Sequence, residues 1–149
     1  MKKLSVPLLK QGKLQCGPTV LRMVFEYFDL KVSQTEIIKR VGGIKKYGVK
    51  TIKLANCAEE LGFKTACYSY NQKLAKGKAK IIKPTKSLIV EPLQDKLPVI
   101  IIVRSSLLFN KKLSDQGHFI VITKYKDGKF WYNDPKDGKQ HIINENKLL

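Results

Sequence analysis

Gln11-Gly12-Lys13-Leu14-Gln15-Cys16-Gly17-Pro18-Thr19 is the stretch on which the rest of the chain is read. A cysteine followed by Gly-Pro opens an apolar run from Val20 to Phe28, which puts a thiol at or just before the first turn of an expected helix. Pro18 suits the first helical position, where its missing N–H costs nothing. A thiolate forms most readily at such a place. Unpaired N–H groups and the positive end of the helix dipole favour an anion, and helix N-termini depress cysteine pKa values. A buried, inert cysteine at a helix start has the same local pattern, so the decision passes to a base and an orienting acid elsewhere. His118 and Asp134 are the candidates.

Working outward, Val32-Ser33-Gln34-Thr35-Glu36-Ile37 is a helix start: Ser33 is the N-cap, Glu36 closes a capping box, and Val32 against Ile37 is the staple. That helix runs to about Val41 and stops at Gly42-Gly43. Gly43-Ile-Lys-Lys-Tyr-Gly48-Val49-Lys50-Thr51 nearly spells a phosphate-binding loop, but Val49 intrudes and the segment follows a helix rather than a strand. It is rejected on both counts. Leu54, Cys57, Ala58 and Leu61 recur at helical spacing up to Gly62. Phe63 to Tyr70 alternates like a half-buried strand. Lys73, Lys76, Lys78, Lys80, Lys83 and Lys86 follow with no acidic residue among them, which reads as a solvated loop or a docking surface for an anionic substrate or partner.

Leu88 to Leu97 reads as helical, with Pro92 starting a second short turn. Pro98 to Val103 is a continuous β-branched run, as expected of a central strand buried on both faces. Ser105 to Gly117 reads as a polar loop around Leu107, Leu108 and Phe109. The chain then reads as a meander: a strand from His118, a turn near Asp127-Gly128, Phe130 to Asn133, a turn near Asp137-Gly138, and Gln140 to Ile143. Helices first and antiparallel strands second make an α+β arrangement.

The chain has 149 residues, enough for one domain over 1–149 with its own core, and shows no internal repeat or linker. The hydrophobic fraction of 43% is ordinary for a globular protein. No apolar run has the roughly 18 residues of a membrane span, and the basic start at Met1 is too short and broken for a signal peptide. A cytoplasmic location is the expectation. Cys16, Cys57 and Cys67 make an odd count without zinc-type spacing, so no disulfide framework, metal or cofactor is expected. The net charge of +17 permits nucleic acid, an anionic surface or an acidic peptide as partner. Nucleic acid is disfavoured, because no recognised basic-aromatic module is present.

Thiol catalysis needs a thiolate, a base, a group that orients the base and donors for the oxyanion. His118 follows Gly117 at the start of a strand, Asp134 ends the neighbouring strand, and Gln11 lies five positions before Cys16, where its amide could serve the oxyanion beside the Cys16 N–H. The pairing carries a demand on strand parity. With a plain two-residue turn at Asp127-Gly128, Val121 would lie opposite Asp134 and His118 would face the other side. A three-residue loop of Lys126, Asp127 and Gly128 with Gly128 at positive φ, or an equivalent bulge, sets Ile120 opposite Asp134 and returns His118 to the acid's face.

Gln11 with Cys16-Gly17-Pro18, the Gly48-Val49 to Leu61-Gly62-Phe63 stretch, Leu97-Pro98-Val99, Gly117-His118-Phe-Ile-Val-Ile and Asn133-Asp134-Pro135 together carry a resemblance. The chain resembles the papain-clan cysteine peptidases, specifically peptidase family 39, whose best-known members cleave double-glycine leader peptides from bacteriocin precursors. The resemblance implies a papain-like fold, with the nucleophile at a helix N-terminus packed on an antiparallel sheet. It implies Cys16 as nucleophile, His118 as base, Asp134 as orienting acid and Gln11 as oxyanion donor. A peptide or precursor-protein substrate and an ABC-type transporter, separate or fused, are the implied partners. Transporter-borne members usually carry Asp where this chain has Gln15, and their glutamine stands one residue further upstream. The rival expectation is a weak or inactive relative that holds an acidic peptide or nucleic acid.

Overall fold

Helix α1, Cys16–Tyr27, packs on the sheet and on the two helices that follow it. The computed structural model describes residues 1–69, 80–81, 85–109 and 117–149. The helix begins on the cysteine itself, so Pro18 is its third residue rather than its first. The substitution of position is harmless, because the third N–H of a helix also lacks an internal partner. Val20, Leu21, Met23 and Phe25 are buried along α1, which lies against strand β4, Gly117–Lys126.

Helix α2, Gln34–Arg40, starts as expected: the Glu36 N–H donates to Ser33 Oγ at 3.1 Å. The Glu36 carboxylate, however, accepts from Arg40 Nε at 3.0 Å. The helix closes with the Gly43 N–H on the Ile38 carbonyl and Gly43 at positive φ. The rejected phosphate loop is a tight turn, with Lys45 and Gly48 exchanging both backbone hydrogen bonds. It leads Val49 and helix α3, Thr51–Glu60, onto the start of α1, where a Cβ on Gly17 would stand 3.4 Å from Val49 Cβ. Between Phe63 and Ser69 only strand β1, Tyr68–Ser69, forms, paired in parallel with β2, Lys80–Ile81. Phe63 instead stacks on Phe25 at 5.2 Å.

Helix α4 spans Lys86–Gln94 with Pro92 inside it, and Ile89 and Leu93 are its buried positions. Strand β3, Val99–Arg104, runs into the short helix α5, Ser105–Phe109. Strands β4, Gly117–Lys126, β5, Lys129–Asp134, and β6, Lys139–Asn144, complete an antiparallel sheet ordered β3-β4-β5-β6, and helix α6, Glu145–Leu148, ends the chain. The α+β expectation holds. The central-strand expectation for Val99–Val103 does not: β3 is an edge strand, and Ile102 is 51% exposed. A run of β-branched residues suits either place, and β4 takes the centre with Phe119, Ile120, Val121 and Ile122 all buried.

The parity demand is met by a different device from the three-residue loop. Lys126 pairs with Lys129 around a two-residue turn in which Asp127 (φ 51) and Gly128 (φ 75) are both at positive φ. The register then shifts, from Lys124 opposite Trp131 to Ile122 opposite Tyr132, so that Thr123 is a bulge residue. Val121 comes opposite Asn133, and the same register sets Ile120 opposite Asp134. The bulge is anchored: the Leu4 N–H donates to the Thr123 carbonyl at 3.0 Å, and the Thr123 hydroxyl donates to the Trp131 carbonyl at 3.4 Å.

Candidate active site

The bulge brings His118 and Asp134 onto one face of the sheet, and their side chains meet there. His118 Nε2 and Asp134 Oδ1 are 2.7 Å apart, with the residues only 5% and 2% exposed. The same carboxylate oxygen accepts the Lys136 N–H at 2.9 Å, which fixes its direction as the chain leaves the strand. Asn133, on the opposite face, donates from Nδ2 to the Val6 carbonyl at 3.1 Å and ties the N-terminal segment to the strand that carries the acid. Phe109 meets the imidazole edge-on, with ring centroids 5.3 Å apart.

Cys16 is half-buried at the start of α1. Burial alone would raise its pKa. Hydrogen bonding to His118 and to the Phe119 backbone, the charge of His118 and the Gly17 backbone N–H together outweigh burial and bring the thiol below 9.0. His118 responds in the opposite sense. Burial pulls its pKa down, but hydrogen bonds and charge from Asp134 and Cys16 lift it to about 9. The two shifts share a cause, the hydrogen bond and charge interaction between thiol and imidazole, which favours the thiolate–imidazolium form over the neutral pair. Among the described residues Cys57 and Cys67 have no such partner, and burial pushes both thiols up.

Gln11 is held close by its backbone, whose N–H donates to the Pro135 carbonyl at 2.7 Å. Its side-chain Nε2 donates to the Gly12 carbonyl at 3.1 Å, and its buried Oε1 has no hydrogen-bond partner among the described residues. Gln15 is turned to the second helix, where its oxygen accepts from Gln34 Nε2 at 3.2 Å. Of the six lysines read as a docking surface, Lys73, Lys76, Lys78 and Lys83 lie outside the described residues. Lys80 is in β2, and Lys86 begins α4 rather than ending a loop, with Nζ 3.3 Å from Glu145 Oε2. Hydrogen bonding to Glu145, then to the Tyr125 side chain, raises the Lys86 pKa.

Sequence reading missed Phe109, Thr123, Asn133 and the Phe119 backbone N–H. A threonine in an apolar strand carries no signal of a bulge, and a backbone donor has no residue type to read. Among the described residues one trio, Asp134, Asp137 and His141, brings possible metal-ligand atoms within 4.8 Å of one another. Its atoms already serve each other and the imidazole: His141 Nε2 and Asp137 Oδ2 are 2.7 Å apart, and Asp134 Oδ1 is taken by His118.

A half-buried thiol at a helix N-terminus facing a strand-borne His–Asp pair, on an α+β frame, defines a class of protein before any comparison. The chain belongs to the Peptidase_C39 like family, whose model matches residues 3–148, and so to the peptidases. No curated protein matches the chain. Its fold is similar to the peptidase domain of Streptococcus ComA, a bi-functional ABC transporter involved in a quorum-sensing pathway: the TM-score is 0.69 at 20% identity, over 95% of this chain and 88% of that one. It is also similar to a C39-like peptidase from Bacillus anthracis, with a TM-score of 0.72 at 15% identity over 99% and 90% of the two chains. A double glycine motif protease from an AMS/PCAT transporter, in complex with its leader peptide, gives 0.57 at 17% identity over 98% and 84%. Among the described residues no helix is long and apolar enough to cross a membrane.

Proposed function

We propose that residues 1–149 form one cysteine endopeptidase domain, and that Cys16, His118 and Asp134 act as its triad. The observation that supports this most is the buried His118–Asp134 contact at 2.7 Å beside a thiol whose pKa is lowered by that same imidazole. Asp134 holds Nε2 and leaves Nδ1 as the nitrogen that exchanges a proton with the thiol. The thiolate attacks the scissile carbonyl carbon. The carbonyl π pair moves to oxygen, where the Cys16 N–H and, after its side chain turns from Gly12, the Gln11 amide donate to it. As the C–N bond breaks, His118 gives its proton to the departing amine, leaving a thioester. Water then loses a proton to His118, attacks the thioester carbon and releases the acid, and the thiolate and imidazolium are restored.

The likeness to peptidase domains of transporters supports a leader peptide ending in a double glycine as substrate, an ABC-type transporter as partner and a cytoplasmic setting. Docking of an acidic stretch by Lys73, Lys76, Lys78, Lys80, Lys83 and Lys86 belongs to the same reading. Charge reversal of three of them should raise KM for an acidic peptide at low salt and leave kcat nearly unchanged. The deciding experiment for the enzyme is labelling of the intact protein with a peptidyl electrophile, followed by mapping of the adduct. An adduct on Cys16 that is lost on Asp134→Asn supports the triad. No adduct on Cys16, together with tight binding of acidic peptides, would put the inactive binding relative in its place.

A further inference from the structure

The turn that presents Asp134 also builds a second feature. A cavity of about 430 Å3 is lined by Lys10, Phe109, Lys136, Asp137 and Lys139. Phe109 connects it to the chemistry. One aspect of its ring meets the His118 imidazole edge-on, and Lys136 Nζ lies 3.7 Å from its centroid. The cavity wall is therefore one aromatic ring away from the base.

Three lysines line it for reasons visible in the backbone. The turn 135–138 between β5 and β6 supplies Lys136 and leads into Lys139. Lys10 arrives with the N-terminal segment, which is held by the Gln11 N–H on the Pro135 carbonyl and lies flat on Gly138. Gly138 is at φ +68, and a Cβ there would stand 3.2 Å from Lys10 Cβ, so glycine permits both the turn and the close approach. The carboxylate of Asp137 is spent on His141 Nε2 at 2.7 Å and on the Lys139 N–H at 2.9 Å. None of the three lysines forms an ion pair among the described residues. Like charges held around one cavity favour a ligand that brings the opposite charge.

We propose that this cavity is a specificity subsite for an aspartate or glutamate side chain of the substrate, one or two residues past the scissile bond, on the side away from the double glycine. The carboxylate sits among Lys10, Lys136 and Lys139, and the methylenes of the side chain lie on Phe109. The inference rests on the peptidase reading above, and its test separates the two. Peptide epoxides extended on either side of the reactive group, with Glu, Gln or Lys at the first or second residue, are reacted with the intact protein at low salt. Each rate of Cys16 labelling is divided by the same protein's rate with iodoacetamide, which needs no subsite.

At one position Glu should exceed Gln by about tenfold and Lys should fall below Gln, with the preference shrinking as salt rises. The preference should drop to within about twofold of parity in Lys136→Gln/Lys139→Gln, and partway in Lys10→Gln. A Cys16 that reacts quickly with iodoacetamide but shows parity of Glu and Gln at every position overturns the subsite and leaves the peptidase standing. So does a Glu preference that survives Lys136→Gln/Lys139→Gln. A Cys16 no faster than Cys57 and Cys67 toward iodoacetamide overturns the peptidase reading, and the subsite with it.

Discussion

His118 and Asp134 are held by strand register, burial and a carboxylate that accepts two hydrogen bonds, whereas Cys16 stands at a helix start with much lighter support. The N-cap residue before it, Gln15, makes no capping hydrogen bond, and the turn leading in contains Leu14 at φ 59, a conformation that costs a non-glycine residue about 1 kcal/mol. The imidazole half is a piece of the core to which the proposed chemistry also falls. The thiol half is a loop end aimed at it. Damage to the first should therefore cost stability and activity together, and damage to the second should cost activity alone.

Cys16→Ala should show the cleanest separation. Hydrolysis should fall at least about 10^4-fold, while the melting temperature stays within a few degrees, because a half-buried thiol leaves little cavity. Turnover assays and thermal melts on one preparation check this, and a large loss of stability would contradict the comparison. Inserting an alanine between Thr123 and Lys124 should strike both properties at once. With one residue still bulged, Val121 comes opposite Asp134, His118 faces the other side, and the Leu4 and Trp131 contacts of Thr123 are displaced. Activity should vanish and the unfolding midpoint drop; an insertion variant that keeps both would show that strand register does not hold the pair.

Asp134→Asn is the finer cut through the same half. It keeps the shape but loses the charge that holds the imidazolium, and kcat should fall about 10^2 to 10^4-fold. Asp134→Ala should in addition destabilise by about 2–4 kcal/mol, since both the His118 ring and the Lys136 N–H lose their acceptor. Equal stability of the Asn and Ala variants in urea would mean that these bonds contribute little. Gln11→Ala, on the thiol half, should lower kcat by about 10^2-fold with KM and stability nearly unchanged. An unaffected kcat would remove Gln11 from the oxyanion site.

The smallest effects concern protons. The thiolate appears as pH rises through a Cys16 pKa below 9.0, and His118 loses its proton at about 9. The profile of kcat/KM should accordingly be a bell whose upper limb lies at about 9 and whose lower limb lies below the ordinary thiol range. The stability sign follows for His118: its folded pKa is above the unfolded value of 6.5, so its contribution is complete below that pH and is lost as pH rises through about 9. In Cys16→Ala the ring loses one of its two anionic partners, and NMR titration should find its pKa lower than in the intact protein. An unchanged value would mean that Asp134 alone holds the proton.

Local chemistry, which is written in short spans of residues, made much of this protein legible from the sequence. Ser33 before Glu36, Gly42-Gly43 and Gly62 bound their helices because capping depends on neighbours in the chain. Cys16-Gly17-Pro18 announced a thiol at a helix start for the same reason, and the alternation of β-branched residues with turn residues announced the meander. What needed the tertiary structure were the properties set by distant partners. Val99–Val103 reads as a central strand, yet β4 occupies the centre, since strand order depends on which faces the helices cover. Asp127-Gly128 left the parity of His118 and Asp134 open, and the answer lay at Thr123, in a hydrogen bond to Leu4 from the other end of the chain. The cavity beside Phe109 could not be read at all. Lys10 is far from Lys136 and Lys139 in sequence, and only the close approach of the N-terminal segment to Gly138 brings the three residues to one cavity.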